Sequence, residues 1–154
     1  MTATFPSDAD TRSHLFASLT AGVLDEATRA MPRTAATPPG VASLLTEARR
    51  LLLGASVSYD NLAAAILKAF QAAELALKAR LGLGADRCTL GRVLAYEKTH
   101  PVLDDYTREW YTNFVLHFRN KLSHPHESIA FTPGMALPIV EGVHAAITEL
   151  FPDE

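Results

Sequence analysis

Apolar residues recur at steps of three and four along most of this 154-residue chain, the spacing that places them on one face of an α-helix. The pattern is most regular from Ser58 to about Leu81 and from Asp104 to Leu122, so both segments are predicted to form long helices. No segment shows the alternation of apolar and polar residues that a half-buried strand produces. The predicted core-facing residues are Leu62, Ile66, Phe70, Ala73, Leu77 and Leu81 in the earlier helix, and Leu103, Tyr106, Trp110, Phe114, Phe118 and Leu122 in the later one.

Proline, glycine and capping residues bound the other predicted elements. These elements are helices from Asp10 or Thr11 to Met31, from Val41 to Leu53 and from Pro133 to Phe151, and a short helical turn from Thr89 to Tyr96. We therefore predict an all-α fold, an up-and-down bundle of four or five main helices. The length fits one domain over residues 1–154, with residues 1–10 as a flexible terminus.

Composition limits which partners and which cellular compartment we expect for this chain. The net charge is −3, so the chain does not coat nucleic acid by bulk charge, and a role on RNA requires a local basic patch. Cys88 is the only cysteine, which excludes an internal disulfide and leaves an inert, partly buried thiol as the preferred interpretation. Without a signal-peptide pattern at the start or an apolar run near ~18 residues, we expect a cytoplasmic protein that does not span a membrane.

The stretch Arg119-Asn120-Lys121-Leu122-Ser123-His124-Pro125 brings phosphate-binding and titratable groups to the end of the helix that begins at Asp104. Arg119 offers a fixed fork of donors that matches a phosphate, and His124 titrates near neutral pH. On an ideal helix these two side chains point roughly 140° apart. Because the residue before a proline is pushed out of the α region, we expect His124 to leave the helix, so that a frayed last turn can return it towards Arg119.

This stretch places Arg-Asn-x-x-x-His at the end of an aromatic-rich helix in a small helical protein. In this respect the chain resembles the HEPN family. Members are helical bundles that carry an arginine, a polar residue and, four to six residues after the arginine, a histidine. Here Arg119, Asn120 and His124 match that pattern. The resemblance covers Asp104 to His126, with a looser similarity from Leu62 to Leu81, where the run Ala-Ala-Glu-Leu-Ala-Leu-Lys looks like an early helix of such bundles.

The resemblance implies an HEPN-like endoribonuclease that needs no metal and no cofactor. It implies that two protomers pair as a homodimer, so that their arginine–histidine motifs meet in one cleft on RNA. A ribose 2′-hydroxyl would attack the adjacent phosphodiester, with His124 as general base or acid. Arg119 would neutralise charge on the phosphorane, and Asn120 would hold the histidine or the phosphate. Such a protein would serve as a toxin or an antiviral component.

Two other functions stay open at this stage. One is a non-catalytic helical interaction module that pairs with a nucleotidyltransferase or an antitoxin, as many HEPN relatives do. The other is a nucleotide-binding domain that uses the same cleft without cleaving. Cleavage of RNA by the purified protein separates the endoribonuclease from both.

Further cationic and titratable groups surround the motif. Lys121, His126 and His117 are predicted to bind RNA, because they fall within ten residues of one another with Arg119 and His124. His117, His124 and His126 also have the chemistry of three zinc ligands. We disfavour that metal site, because Arg119 and Lys121 would repel a cation and no acidic group is visible nearby.

A few polar residues outside the motif have competing interpretations. Glu74 either forms an exposed i,i+4 pair with Lys78 or faces the Arg119 site and orients the arginine. Arg49 and its polar neighbours are predicted to form a solvated helix face. His144 has no partner at ligand spacing and is interpreted as structural or surface-exposed.

Overall fold

The computed structural model describes residues 21–55, 58, 60–84, 87–123 and 132–154. These residues form six helices and no strand, which confirms the all-α prediction. The helices are α1 (Ala21–Ala30), α2 (Pro39–Gly54), α3 (Asp60–Arg80), α4 (Leu90–Thr99), α5 and α6 (Pro133–Leu150). Helix α5 is continuous but has three parts, an α-helical Asp105–Trp110, a π-helical turn Tyr111–Val115 and an α-helical Leu116–Ser123.

Local side-chain chemistry fixes several helix ends. Thr89, Asp104 and Thr132 each accept a hydrogen bond from a backbone N–H of the first turn, and so start α4, α5 and α6. Helix α3 ends where Gly82 adopts a φ of 71°. There the N–H of Leu83 donates to the carbonyl of Lys78 and the N–H of Gly82 to that of Ala79, the pattern of a Schellman cap. These ends confirm the helix boundaries predicted from the sequence.

Helix α3 lies at the centre of the bundle and packs against α2, α5 and α6. It runs antiparallel to α2, because Asn61 at its start bonds to Gly54 and Lys68 pairs with Glu47 one to two turns further on. The face of α3 is rich in small residues that are fully buried, namely Ala65, Ala69, Ala72, Ala73 and Ala76. Because alanine adds little bulk, neighbouring helices approach α3 closely. None of the six described helices has the length and hydropathy that a membrane crossing requires.

The buried face of α5 differs from the prediction. Leu62, Ile66 and Phe70 of α3 are fully buried as predicted, but Trp110, Phe114 and Phe118 of α5 are only half-buried. The innermost residues of α5 are Thr107, Tyr111 and Val115 instead. Tyr106, also predicted to face the core, is 81% exposed. The predicted aromatic stripe thus flanks the true core-facing row, and Phe114 still meets Phe70 edge to face at 5.7 Å.

Candidate functional site

The π-helical turn in α5 aims Arg119 at α3. In this turn the N–H of Leu116 donates to the carbonyl of Tyr111, five residues back. On a straight α-helix Arg119 would lie about 80° around the axis from Tyr111. The turn contains one residue more than the same stretch of α-helix, so the rotation between Tyr111 and Arg119 is smaller by about 100°. The two residues then lie roughly 20° apart around the axis. Tyr111 donates to the carbonyl of Ala73 at 2.9 Å, so the face that it shares with Arg119 is the one against α3.

A single buried carboxylate on α3 holds both Arg119 and Lys78. Oε2 of Glu74 lies 2.5 Å from Nε of Arg119, and Oε1 lies 3.0 Å from Nζ of Lys78. The Glu74 side chain is only 9% exposed. A buried carboxylate is stable only when it is paired, and here each oxygen has its own cation. Both interpretations of Glu74 offered from the sequence are therefore present together, although the pair with Lys78 is not an exposed one.

Arg119 and Asn120 line an open groove of about 610 Å³ between α3, α5 and the start of α4. Its charged lining is Lys78, Arg87, Arg119 and Glu74, so three positive charges and one negative charge give a formal net charge of +2. Leu90 and Gly91 at the N-terminus of the ten-residue helix α4 also line the groove. Backbone N–H groups at a helix N-terminus favour anions. On this acidic chain, the groove is a local basic surface of the kind that a role on RNA requires.

Two cations of the groove were not anticipated from the sequence. The sequence pattern predicts Lys78 only as a partner of Glu74, and it gives no signal for Arg87. The cap at Thr89 predicts where α4 begins, and hence where an anion-favouring helix end lies. Nothing in the sequence pattern indicates that this end packs beside Arg119, because that neighbourhood depends on how α3, α4 and α5 assemble.

The structure separates His117 and Lys121 from the groove. His117 is exposed and meets Phe118 edge to face at 5.4 Å, and Lys121 is half-buried, but neither lines the groove. Both are two residues from Arg119, which places them about 160° around the helix from it. An RNA strand in the groove would therefore reach His117 and Lys121 only by passing around α5.

His124 and His126 lie outside the described residues, directly after the end of α5 in the chain. Their predicted roles therefore rest on the sequence. Among the described residues, no three histidine, cysteine or carboxylate side chains are grouped so that they could hold a metal ion. The alternative zinc site includes His124 and His126, so this finding does not bear on it.

Comparison of the chain with protein-family models, with curated proteins and with solved structures finds no match. The resemblance to the HEPN family thus rests on the sequence pattern alone. What the groove can do chemically follows from the positions of its side chains. Glu74 fixes the position of the Arg119 guanidinium from one side, and a cation held in this way needs little reorganisation when an anion arrives.

Proposed function

We propose that this chain is a metal-independent endoribonuclease, in which Arg119 and His124 act on a phosphodiester of RNA bound in the cationic groove. One observation carries the proposal. Arg119 is anchored by the buried carboxylate of Glu74 at the wall of a groove with net positive charge, five residues before His124. An ordinary surface arginine at a helix end would have neither the buried anchor nor the groove.

In the proposed reaction, His124 takes the proton of a ribose 2′-hydroxyl as that oxygen attacks the adjacent phosphorus. The bond from phosphorus to the 5′-oxygen breaks, and this oxygen takes a proton from a second acid. The products are a 2′,3′-cyclic phosphate and a free 5′-hydroxyl. Arg119 stabilises the charge that develops on the non-bridging phosphate oxygens, while Asn120, which is exposed in the groove wall, hydrogen-bonds the phosphate or His124.

A second acid is available if two copies pair about a two-fold axis with their α5 ends facing each other. His124 of the second protomer would then protonate the leaving oxygen. Two-fold dimers are the commonest closed assemblies, and pairing doubles the groups of a sparse site. Light scattering at micromolar concentration should give the mass of a dimer, and a monomer mass would contradict this assembly. Within the proposal, the protein acts as a toxin or an antiviral component, with an antitoxin or a nucleotidyltransferase as its regulatory partner.

A second candidate function is the binding of RNA or a nucleotide without cleavage. It is favoured by the composition of the groove wall, since no histidine is among the described residues that line it. The deciding experiment is cleavage of a labelled RNA by the purified full chain, with EDTA present. Formation of 2′,3′-cyclic ends that requires His124 supports the endoribonuclease. Saturable RNA binding that depends on Arg119, without cleavage, supports the binding module.

A further inference from the structure

Arg49 turns towards α6, contrary to the solvated face predicted for it. It is half-buried on α2, where one terminal nitrogen lies 3.3 Å from Nε2 of His144 on α6 and the other donates to Thr46 at 3.0 Å. The next residue, Arg50, is exposed. Two adjacent arginines of one helix therefore have different surroundings, and only Arg49 is held by other side chains.

His144 holds the Arg49 guanidinium without adding charge. The imidazole is fully buried, and its Nδ1 lies 3.1 Å from the carbonyl oxygen of Pro32. A carbonyl only accepts, so Nδ1 carries the proton, and Nε2 is left to accept from Arg49. Burial lowers the pKa of His144 to about 4. The ring is neutral at physiological pH and acts as a fixed acceptor.

A second guanidinium meets Arg49 at a cavity of about 160 Å³ between α2, α6 and the segment after α1. Arg33 lines this cavity together with Arg49. Among the described residues, no carboxylate lies within ion-pair distance of either arginine. Burial and the nearby charge of Arg33 both lower the pKa of Arg49.

The threonine hydroxyls around the cavity are already engaged as donors. Thr34 donates to the carbonyl of Phe151, so Thr37 donates to Thr34. Thr46 donates to the carbonyl of Ala42 and Thr148 to that of His144. Arg33 donates from one terminal nitrogen to the carbonyl of Arg29 at 3.0 Å. The donors left for the cavity are therefore the remaining N–H groups of the Arg33 and Arg49 guanidinium groups, which have five each. Leu45 and Ile147 supply an apolar wall beside them.

We propose that this cavity is a binding pocket for a small oxyanion, the phosphate or carboxylate group of a low-molecular-weight ligand, held between Arg33 and Arg49. Two positive charges that line one cavity are stabilised by an anion that accepts hydrogen bonds from both. The cavity is smaller than the ~300–1,000 Å³ of pockets for drug-sized ligands, which fits a small charged group. Its lining shares no residue with the Arg119 groove, so this pocket is a second site and does not depend on ribonuclease activity.

The test is a titration of the full chain with inorganic phosphate, and separately with acetate, at constant ionic strength, followed by the NMR signals of the His144 ring. We expect a saturable shift, because an anion on Arg49 changes the field at Nε2. The arm that saturates at the lower concentration identifies phosphate or carboxylate as the preferred group. Absence of a saturable shift in both arms would overturn the proposal.

Matched variants locate the site. Arg49→Gln and Arg33→Gln should each weaken binding by roughly 10-fold or more, the usual effect of losing a charge-assisted hydrogen bond. Arg33 is exposed, so its replacement tests the pocket even if Arg49→Gln disturbs folding. Arg50→Gln removes the same charge one residue further along α2, and Arg119→Gln removes the anchored cation of the groove. Both controls should give the same midpoint for the His144 shift as the parent chain, and an equal midpoint in all four variants would exclude this pocket.

Discussion

Nε of Arg119 and Oε2 of Glu74 lie 2.5 Å apart and join the end of α5 to the middle of α3. The same carboxylate also binds Lys78. The arginine of the motif is thus part of a three-residue charge cluster, and its position depends on a residue that lies 45 positions earlier in the chain. Functional predictions for Arg119 must therefore include Glu74.

Replacing Glu74 by glutamine should separate RNA binding from RNA cleavage. The change raises the formal charge of the groove from +2 to +3, so affinity for an uncleavable RNA should rise at low salt. Arg119 loses its ionic anchor, and the single-turnover cleavage rate should fall by roughly 10- to 100-fold, because small displacements of a positioned group are costly. Glu47→Gln is the matched control, since Glu47 forms a partly exposed pair with Lys68. Equal cleavage rates for the Glu74 variant and the parent would contradict the positioning role.

Removal of the His124 imidazole tests the proton transfer itself. His124→Ala should lower the cleavage rate by roughly 10²- to 10⁴-fold, the usual span for a general acid or base. Binding of uncleavable RNA should fall much less, because the cations of the groove remain. Arg119→Ala should impair both binding and cleavage, since it removes a bidentate phosphate contact. A His124→Ala protein that cuts RNA as fast as the parent, or a reaction that EDTA stops, would refute the mechanism.

The buried pair of Glu97 and Arg108 should dominate the electrostatic contribution to stability. The Glu97 side chain is fully buried and accepts hydrogen bonds from Arg108 and from the backbone N–H groups of Val102 and Leu103, so it fastens the segment between α4 and α5. Burial alone would raise its pKa, but these donors together hold the pKa below its usual value. Arg108→Ala should reduce the free energy of unfolding by about 3–5 kcal/mol. Asp105→Asn, which breaks only an exposed contact to Arg108, should leave the midpoint of the same urea titrations nearly unchanged.

Acidification should destabilise the fold through His144. Its pKa of about 4 in the folded chain lies below the ordinary value of 6.5. Between these two values the unfolded chain takes up the proton and the folded chain does not, so stability falls as pH falls through this window. The loss is on the order of 3 kcal/mol across the window. Urea titrations at pH 7, 6 and 5 should show about 2 kcal/mol of it, and His144→Gln, which cannot titrate, should show a shallower dependence. Parallel curves for the two proteins would exclude His144 as the cause.

Much of the fold follows from the sequence because its signals are local. The three- and four-residue steps in Leu62, Ile66 and Phe70 predict the buried face of α3, and capping residues such as Thr89 and Asp104 predict where helices begin. The prediction for the core-facing row of α5 is wrong by one position, because two neighbouring rows both recur at four-residue steps and the larger aromatics favour the wrong one. The predicted row contains Tyr106, Trp110 and Phe114, and the buried row contains Thr107, Tyr111 and Val115.

The candidate site was predictable only in part. Arg119 and Asn120 are recognisable from their order and their place at a helix end. The contribution of Arg87 is not, because it depends on how α4 packs beside α5. The pattern predicts a solvated Arg49 because the sequence does not show that a neutral imidazole on α6 accepts its N–H. Arg49 and His144 are 95 positions apart in the chain, so no local signal links them.

The π-helical turn also decides which one-residue changes in length the site can accept. Asn113 is an exposed residue within the turn. Loss of its single codon would let the turn relax to an ordinary α-helix, and Arg119 would then lie seven residues after Tyr111, which still leaves the two roughly 20° apart. Gain of one codon at the same place would instead rotate everything after it by about 100°, so that Arg119 would leave Glu74 while Tyr111 still faced α3. In this protein, an in-frame insertion of one residue in the turn inactivates the site, whereas an in-frame deletion there preserves the orientation of Arg119.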